Sequence, residues 1–218
     1  ALMPHVALTN VACGFHASDP SIMRATVRLA KAHGVKVGAH PSLPDMQGFG
    51  RHAMVVSPAE VTDFVAYQVG ALKAFLDAEG MPLHHVKPHG ALYGMAARDE
   101  KIAAAIADAV KPFGVPLLGM AFTAHERAYR ENGVEMVGEF YADLDYDPDG
   151  NLILSRVHDA VDPAEAAARV LRVIRDGVVA TTAGRDIPVK AGSICVHSDT
   201  PAAPAIAAAV KRALQQRA

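Results

Sequence analysis

The residues most able to do chemistry stand close together in His84-His85-Val86-Lys87-Pro88-His89-Gly90-Ala91-Leu92-Tyr93. The stretch opens as a strand, with apolar Val86 among polar neighbours; Pro88 then removes a backbone donor and Gly90 lets the chain turn. Alternation along a strand puts His85, Lys87 and His89 on one face. Imidazoles flanking an ammonium make a poor dry core, but they suit proton transfer or the holding of an anion. His85 and His89 also have the spacing of a helical zinc pair, which Pro88 and the strand context exclude.

Other candidates fall where apolar runs end: Asn10, Cys13 and His16; His40; Glu139 and Asp143; His197 and Asp199. The elements that must position them repeat one unit, a helix closed by glycine and followed at once by an apolar strand. The junctions are His33-Gly34-Val35, Glu79-Gly80-Met81, Phe113-Gly114-Val115 and Asn132-Gly133-Val134. Helix starts repeat too, with a capping side chain before proline at Asp19-Pro20, Ser57-Pro58, Asp162-Pro163 and Thr200-Pro201. Ser57 with Glu60, and Asp162 with Glu165, have capping-box spacing. Apolar stripes at helical period run through Val61, Phe64, Val65, Val69, Leu72 and Leu76, and through Ile206, Val210 and Leu214.

Six strands are expected, over 6–12, 35–40, 83–87, 116–120, 135–140 and 193–197. Strands alternating with helices imply a parallel α/β sheet. Polar residues at five of the six strand ends favour a closed or nearly closed β/α barrel over an open sheet, whose ligands gather at one switch point. Two long connections, 41–56 and 141–161, have the length of functional loops. In the first, Gly48 and Gly50 flank Phe49 and Arg51 follows; this predicts a lid over the strand ends, with Phe49 excluding water. Asp145, Asp147, Asp149 and Gly150 imitate the start of a calcium loop, but Arg156 stands where its last ligand should be, so Asp149-Gly150-Asn151 reads as a turn.

The 218 residues suit a single domain, 1–218, and with 51% of them apolar a large core can be buried. A net charge of −2 argues against nucleic acid or anionic membrane as partner, and no apolar run approaches the ~20 residues that span a bilayer. No signal peptide is legible, although the chain opens at Ala1 without an initiator methionine, and Cys13 and Cys195 read as small buried residues of a reducing, cytoplasmic compartment.

Long motifs then resemble those of the LamB/YcsF family: Asn10-Val11-Ala12-Cys13-Gly14-Phe15-His16-Ala17-Ser18-Asp19-Pro20, Gly38-Ala39-His40-Pro41, Gln47-Gly48-Phe49-Gly50-Arg51, Val86 to Tyr93, and Ile194-Cys195-Val196-His197-Ser198-Asp199. The resemblance covers the whole chain. It implies a distorted, incomplete TIM-like β/α barrel of the glycoside hydrolase/deacetylase type, with the family's first strand, which bears an Asn-x-Asp-x-Gly-Glu motif, absent here. It also implies ATP-dependent hydrolysis of the lactam of 5-oxo-L-proline to L-glutamate, carried out with partner subunits B and C. Ser18, Leu144, Ser198 and Thr200 depart from the residues usual in the family.

The lactam is a stabilised amide, so its hydrolysis needs coupling; phosphorylation of the lactam oxygen would create a leaving group and water could then add. For that chemistry the catalytic candidates are Lys87, His89, His40, His16 and Asp199. The substrate-binding candidates are Asn10, Arg51, Glu139, Asp143 and His197. Lys87 and Arg51 supply cations for phosphate or carboxylate, the imidazoles move protons, and Asp199 or Glu139 orients one of them. No Gly-x-x-x-x-Gly-Lys-Ser/Thr motif is present, so ATP would bind in another way or at a partner. The residues leave the need for a divalent metal open, and with it two other readings: a metal-dependent carbohydrate deacetylase, and a non-catalytic component that only binds ligand.

Overall fold

The computed structural model describes residues 1–155 and 157–216, so Arg156 lies outside it. Contacts group the chain into two compact units, one of residues 7–119 and 123–137, the other of residues 1–6, 120–122 and 138–218.

In the first unit the chain runs β1 (Leu8–Ala12), α1 (Pro20–Ala32), β2 (Lys36–His40), α2 (Pro58–Ala78), β3 (Leu83–Val86), α3 (Gly90–Arg98), α4 (Glu100–Val110), β4 (Leu117–Gly119) and α5 (Ala124–Glu131). Strand β5 (Met136–Tyr141) begins in this unit and continues into the other, where α6 (Pro163–Asp176), β6 (Val178–Ala180), β7 (Asp186–Pro188), β8 (Ser193–Cys195) and α7 (Ala203–Gln215) follow. Among the described residues the main sheet has the order β1-β2-β3-β4-β5-β8, with β1 and β8 at its edges. The pairings β1–β2, β2–β3, β3–β4 and β5–β8 are parallel. This is the α/β class expected, and all six expected strands are present, shorter by a residue or two at most ends.

The local signals that end and start helices act as read. Gly34, Gly80, Gly114 and Gly133 all adopt positive φ, between 64° and 73°, which lets the chain turn sharply from helix into strand. Asp19, Ser57 and Asp162 cap α1, α2 and α6, and Ser57 with Glu60 forms the complete capping box. The fourth expected start fails: α7 begins at Ala203, and the Thr200 hydroxyl donates to Asp143 Oδ2 at 2.8 Å instead of capping. The hairpin of β6 and β7 is an addition to the expected elements, because three-residue strands carry too little alternation to register.

Each unit buries its own core. Val61, Val65, Val69, Leu72 and Leu76 of α2 are fully buried, while Phe64 is only half-buried and packs edge-on against Phe15. In the other unit Phe140, Tyr146, Val170, Val173, Val179, Ile206 and Val210 form one cluster, and Leu214, expected to extend it, is 37% exposed on the last turn of α7. Cys13 and Cys195 are both buried thiols, not joined in a disulfide. Among the described residues no helix is long and apolar enough to cross a membrane.

Candidate functional site

In the first unit, three strands deliver polar side chains in rows. Asn10 of β1 pairs in register with Gly38 of β2, which pairs with His85 of β3. Gly38 has no side chain, and a Cβ there would lie 2.2 Å from the His85 ring. His85 therefore reaches across β2, and its Nε2 donates to Asn10 Oδ1 at 2.8 Å. Burial, then the charges of His84 and Lys87, push its pKa down to about 3. His85 is thus a neutral core histidine supporting Asn10, and its alternation with Lys87 and His89 does not make the three one catalytic row.

Past the strand ends lies a tighter group. His40 Nδ1 donates to the Lys87 carbonyl at 2.6 Å, and His40 Nε2 lies 3.0 Å from His89 Nδ1. His89 Nε2 donates to the Phe49 carbonyl at 2.7 Å. The His16 ring stacks on that of His89 with centroids 3.8 Å apart and planes 7° from parallel. His16 Nδ1 donates to Ser42 Oγ at 2.8 Å, whose own proton goes to the Leu43 carbonyl, so His16 Nε2 keeps its lone pair. Burial, then Arg51, push the His16 pKa down to about 4; burial, then His16, push His89 to about 2; His40 is held well below its ordinary value, first by burial and then by His89 and Lys87. All three rings are neutral near pH 7. Lys87, only 4% exposed, lies within electrostatic reach of His40, His85 and His89.

The loop 41–56 packs on this group as expected. The Phe49 ring stands edge-on to His16 and His89, at 5.4 and 5.3 Å, and Arg51 lies over the Phe49 ring. The Gly50 carbonyl accepts from Ala91 N at 2.8 Å, fixing the loop to the first turn of α3. A side chain at Gly90 would collide with that carbonyl at 2.4 Å, and Gly50 holds φ 67°, so both glycines are required by this close approach. One support of the group and one further buried histidine are not among the candidates named from the sequence. Gln68 is fully buried in the apolar stripe of α2 and bonds both the N–H and the carbonyl of Ser42. A lone glutamine between Val65 and Val69 is the signal that could have found it. His125 is buried between the rings of Tyr93 and Tyr129, and its burial pushes its pKa down to about 3.

The second unit holds a separate group. Asp143 accepts from His197 N at 2.7 Å, His197 Nδ1 at 3.1 Å and Thr200 Oγ1 at 2.8 Å. Burial alone would raise the Asp143 pKa, but the hydrogen bonds from His197 and Thr200 outweigh it and hold the carboxylate below its usual range. Asp143 thereby fixes His197 with its proton on Nδ1 and its lone pair on Nε2, a carboxylate-oriented base. Asp199, expected to orient an imidazole, stands 3.6 Å from Nε2 of the His158 ring, which lies 5.1 Å from the ring of His197. Nothing around His158 in the loop sequence distinguishes it, so it too is absent from the candidates. Glu139 is buried on β5, in register with Ser193 of β8. The Asp147 carboxylate accepts from the N–H groups of Asp149 and Asn151, which makes this segment the turn expected rather than a cation loop.

Among the described residues no three His, Cys, Asp or Glu side chains are disposed to hold a metal ion. In the imidazole group the outer nitrogens, His40 Nδ1 and His89 Nε2, are held by backbone carbonyls, and the inner two face each other at 3.0 Å.

The LamB/YcsF family model matches residues 1–218. The chain belongs to the LamB/YcsF family. It is 48% identical over 219 residues to the 5-oxoprolinase A subunit of Thermus thermophilus, covering 99% of this chain and 88% of the relative. It is 46% identical over 202 residues to the 5-oxoprolinase A subunit of Bacillus subtilis, covering 91% and 79%. The crystal structure of the lactam utilization protein from Thermus thermophilus superposes with a TM-score of 0.90 at 48% identity, over 99% of this chain and 88% of that one. That likeness shows the α/β fold of this LamB/YcsF chain directly.

Proposed function

We propose that this chain is the A component of a cytoplasmic, ATP-dependent 5-oxoprolinase, which opens the lactam of 5-oxo-L-proline to L-glutamate together with subunits B and C. The observation that carries the reading is the 48% identity to a 5-oxoprolinase A subunit over 99% of this chain. The geometry of the first unit supplies a means. Lys87 and Arg51 place two cations around neutral, buried imidazoles, an arrangement suited to a carboxylate, a phosphoryl group or a developing oxyanion. ATP is the co-substrate: its γ-phosphoryl group passes to the lactam oxygen as ADP leaves, water adds to the activated carbon, the ring C–N bond breaks to give an acyl phosphate, and a second water releases glutamate and inorganic phosphate.

Roles follow from tautomers. His16 offers the unprotonated Nε2 a general base needs, and its Nδ1 is fixed by Ser42. His40 is tied to the Lys87 backbone and positions that residue. In the second unit Asp143 and His197 form a further oriented base, with Glu139 a polar group on β5; Asn10 belongs to the first unit, on β1. The test is reconstitution: the chain mixed with subunits B and C, 5-oxoproline and ATP should form glutamate, and Lys87→Met should abolish that formation without preventing assembly. Full activity of the Lys87→Met complex would assign the chain a ligand-binding, non-catalytic part.

A further inference from the structure

The His40–His89 contact has a proton count that two neutral rings do not satisfy. The pair has four nitrogens. The outer two, His40 Nδ1 and His89 Nε2, face the carbonyls of Lys87 and Phe49 at 2.6 and 2.7 Å. A carbonyl oxygen only accepts, so each outer nitrogen carries a proton. In a neutral ring the other nitrogen then has a lone pair, and these two lone pairs face each other across 3.0 Å. A hydrogen bond there needs a third proton, which would give the pair one positive charge.

The surroundings within this unit oppose that charge. Both rings are deeply buried, and within this unit the charged or titratable groups facing them are Lys87 after β3, His16 after β1, Arg51 on the 41–56 loop, and Cys13. Cys13 accepts from the His40 backbone N–H, and burial pushes its thiol up to about 12, so it contributes no negative charge. An anion beside Lys87 and Arg51 reverses the balance, because it cancels the field that keeps the third proton out. The stacked His16 ring then offers an aromatic face to the imidazolium.

We propose that the His40–His89 pair takes up one proton from solvent when an oxyanion is bound by Lys87 and Arg51, so that anion and proton enter this site together. The proton adds to the lone pair of His89 Nδ1 or His40 Nε2 and is shared as N–H···N; no bond to the ligand is made or broken. Once held, it is a proton stored beside the reacting group, available to a leaving atom. The inference rests on the reading of Lys87 and Arg51 as an anion seat, and stands without the lactam chemistry.

Inorganic sulfate is the probe, since it has no proton to exchange near neutrality. Calorimetric titration of the full chain with sulfate, in buffers of different ionisation enthalpy at one pH, should show uptake close to one proton per anion. The sulfate affinity should fall as pH rises, by up to about tenfold per pH unit where uptake is complete. His89→Gln, or His40→Asn should that variant not fold, should bind sulfate with the buffer dependence lost. Sulfate binding to the wild-type chain with no buffer dependence would overturn the proton link while leaving the seat intact. Failure of sulfate to bind at all would overturn both, and neither result would bear on glutamate formation by the complex.

Discussion

His40 donates its Nδ1 proton to the carbonyl of Lys87 at 2.6 Å, so the histidine that ends β2 fixes the backbone of the lysine that follows β3. The lysine is carried to the site by backbone geometry, and on the proposed reading its charge serves chemistry. Methionine matches its length and apolar stem. Lys87→Met should therefore leave the melting temperature nearly unchanged and lower turnover of the assembled complex by about 100-fold or more. His89→Ala should show the same loss of turnover. Melting and turnover measured on the same preparations check this; an unfolded variant, or one retaining most activity, would show that the strand end is structural.

Asp143 accepts from the backbone N–H of His197 and from its Nδ1, the second bond fixing the tautomer, and is itself held by Thr200. Asp143→Asn keeps the shape but presents an amide that can donate to the ring, favouring the wrong tautomer. Turnover should fall by about 100-fold or more, with the KM for 5-oxoproline changed far less. Thr200→Val should give a smaller loss that Thr200→Ser recovers. Steady-state kinetics decides: equal losses for Asp143→Asn and Thr200→Val would argue that the group acts only as packing.

The buried histidines set an acid limit on stability. His16, His85, His89 and His125 have pKa values pushed down to about 4, 3, 2 and 3, and His40 is held well below its ordinary value. In the unfolded chain each titrates near 6.5. Below that pH the unfolded state binds more protons than the folded one, so stability is complete above about 6.5 and is lost as pH falls toward about 4. Each histidine contributes up to about 1.4 kcal/mol per pH unit in that window. Urea midpoints at pH 7.5 and pH 5.5 should differ clearly, and equal midpoints would mean that these rings are not buried neutral.

Ser18 sits at φ 76°, a left-handed conformation that costs a residue with a Cβ roughly 1 kcal/mol or more. It stands just before Asp19, whose carboxylate caps α1 by accepting from Ser21 N and Ile22 N. Ser18→Gly should raise unfolding stability by about 1 kcal/mol with no loss of the cap. Chemical denaturation measures it; a destabilised variant would mean that the serine hydroxyl, which donates to the Asp19 carbonyl, matters more than the strain.

Much of the first unit is legible in the sequence because its signals are local. A capping side chain before proline, a glycine after the last helical turn and a short apolar run each report on a few adjacent residues. Lys87, His89, His40, His16 and Arg51 can be grouped because strand ends in a parallel sheet carry their side chains to one edge. The fine division of roles is not legible, because it depends on partners far apart in sequence. Nothing local tells that His85 reaches Asn10 over Gly38, or that Thr200 turns from capping a helix to Asp143. The same limit hides Gln68, whose partner Ser42 is 26 residues away.

We propose that this chain completes an ATP-dependent 5-oxoprolinase. Glutamate formation from 5-oxoproline, followed with ATP consumption, should be negligible for the chain alone and for subunits B and C alone, and robust when all three are mixed. Equal rates with and without this chain, or vigorous ATP-dependent lactam cleavage by the chain in isolation, would contradict the account.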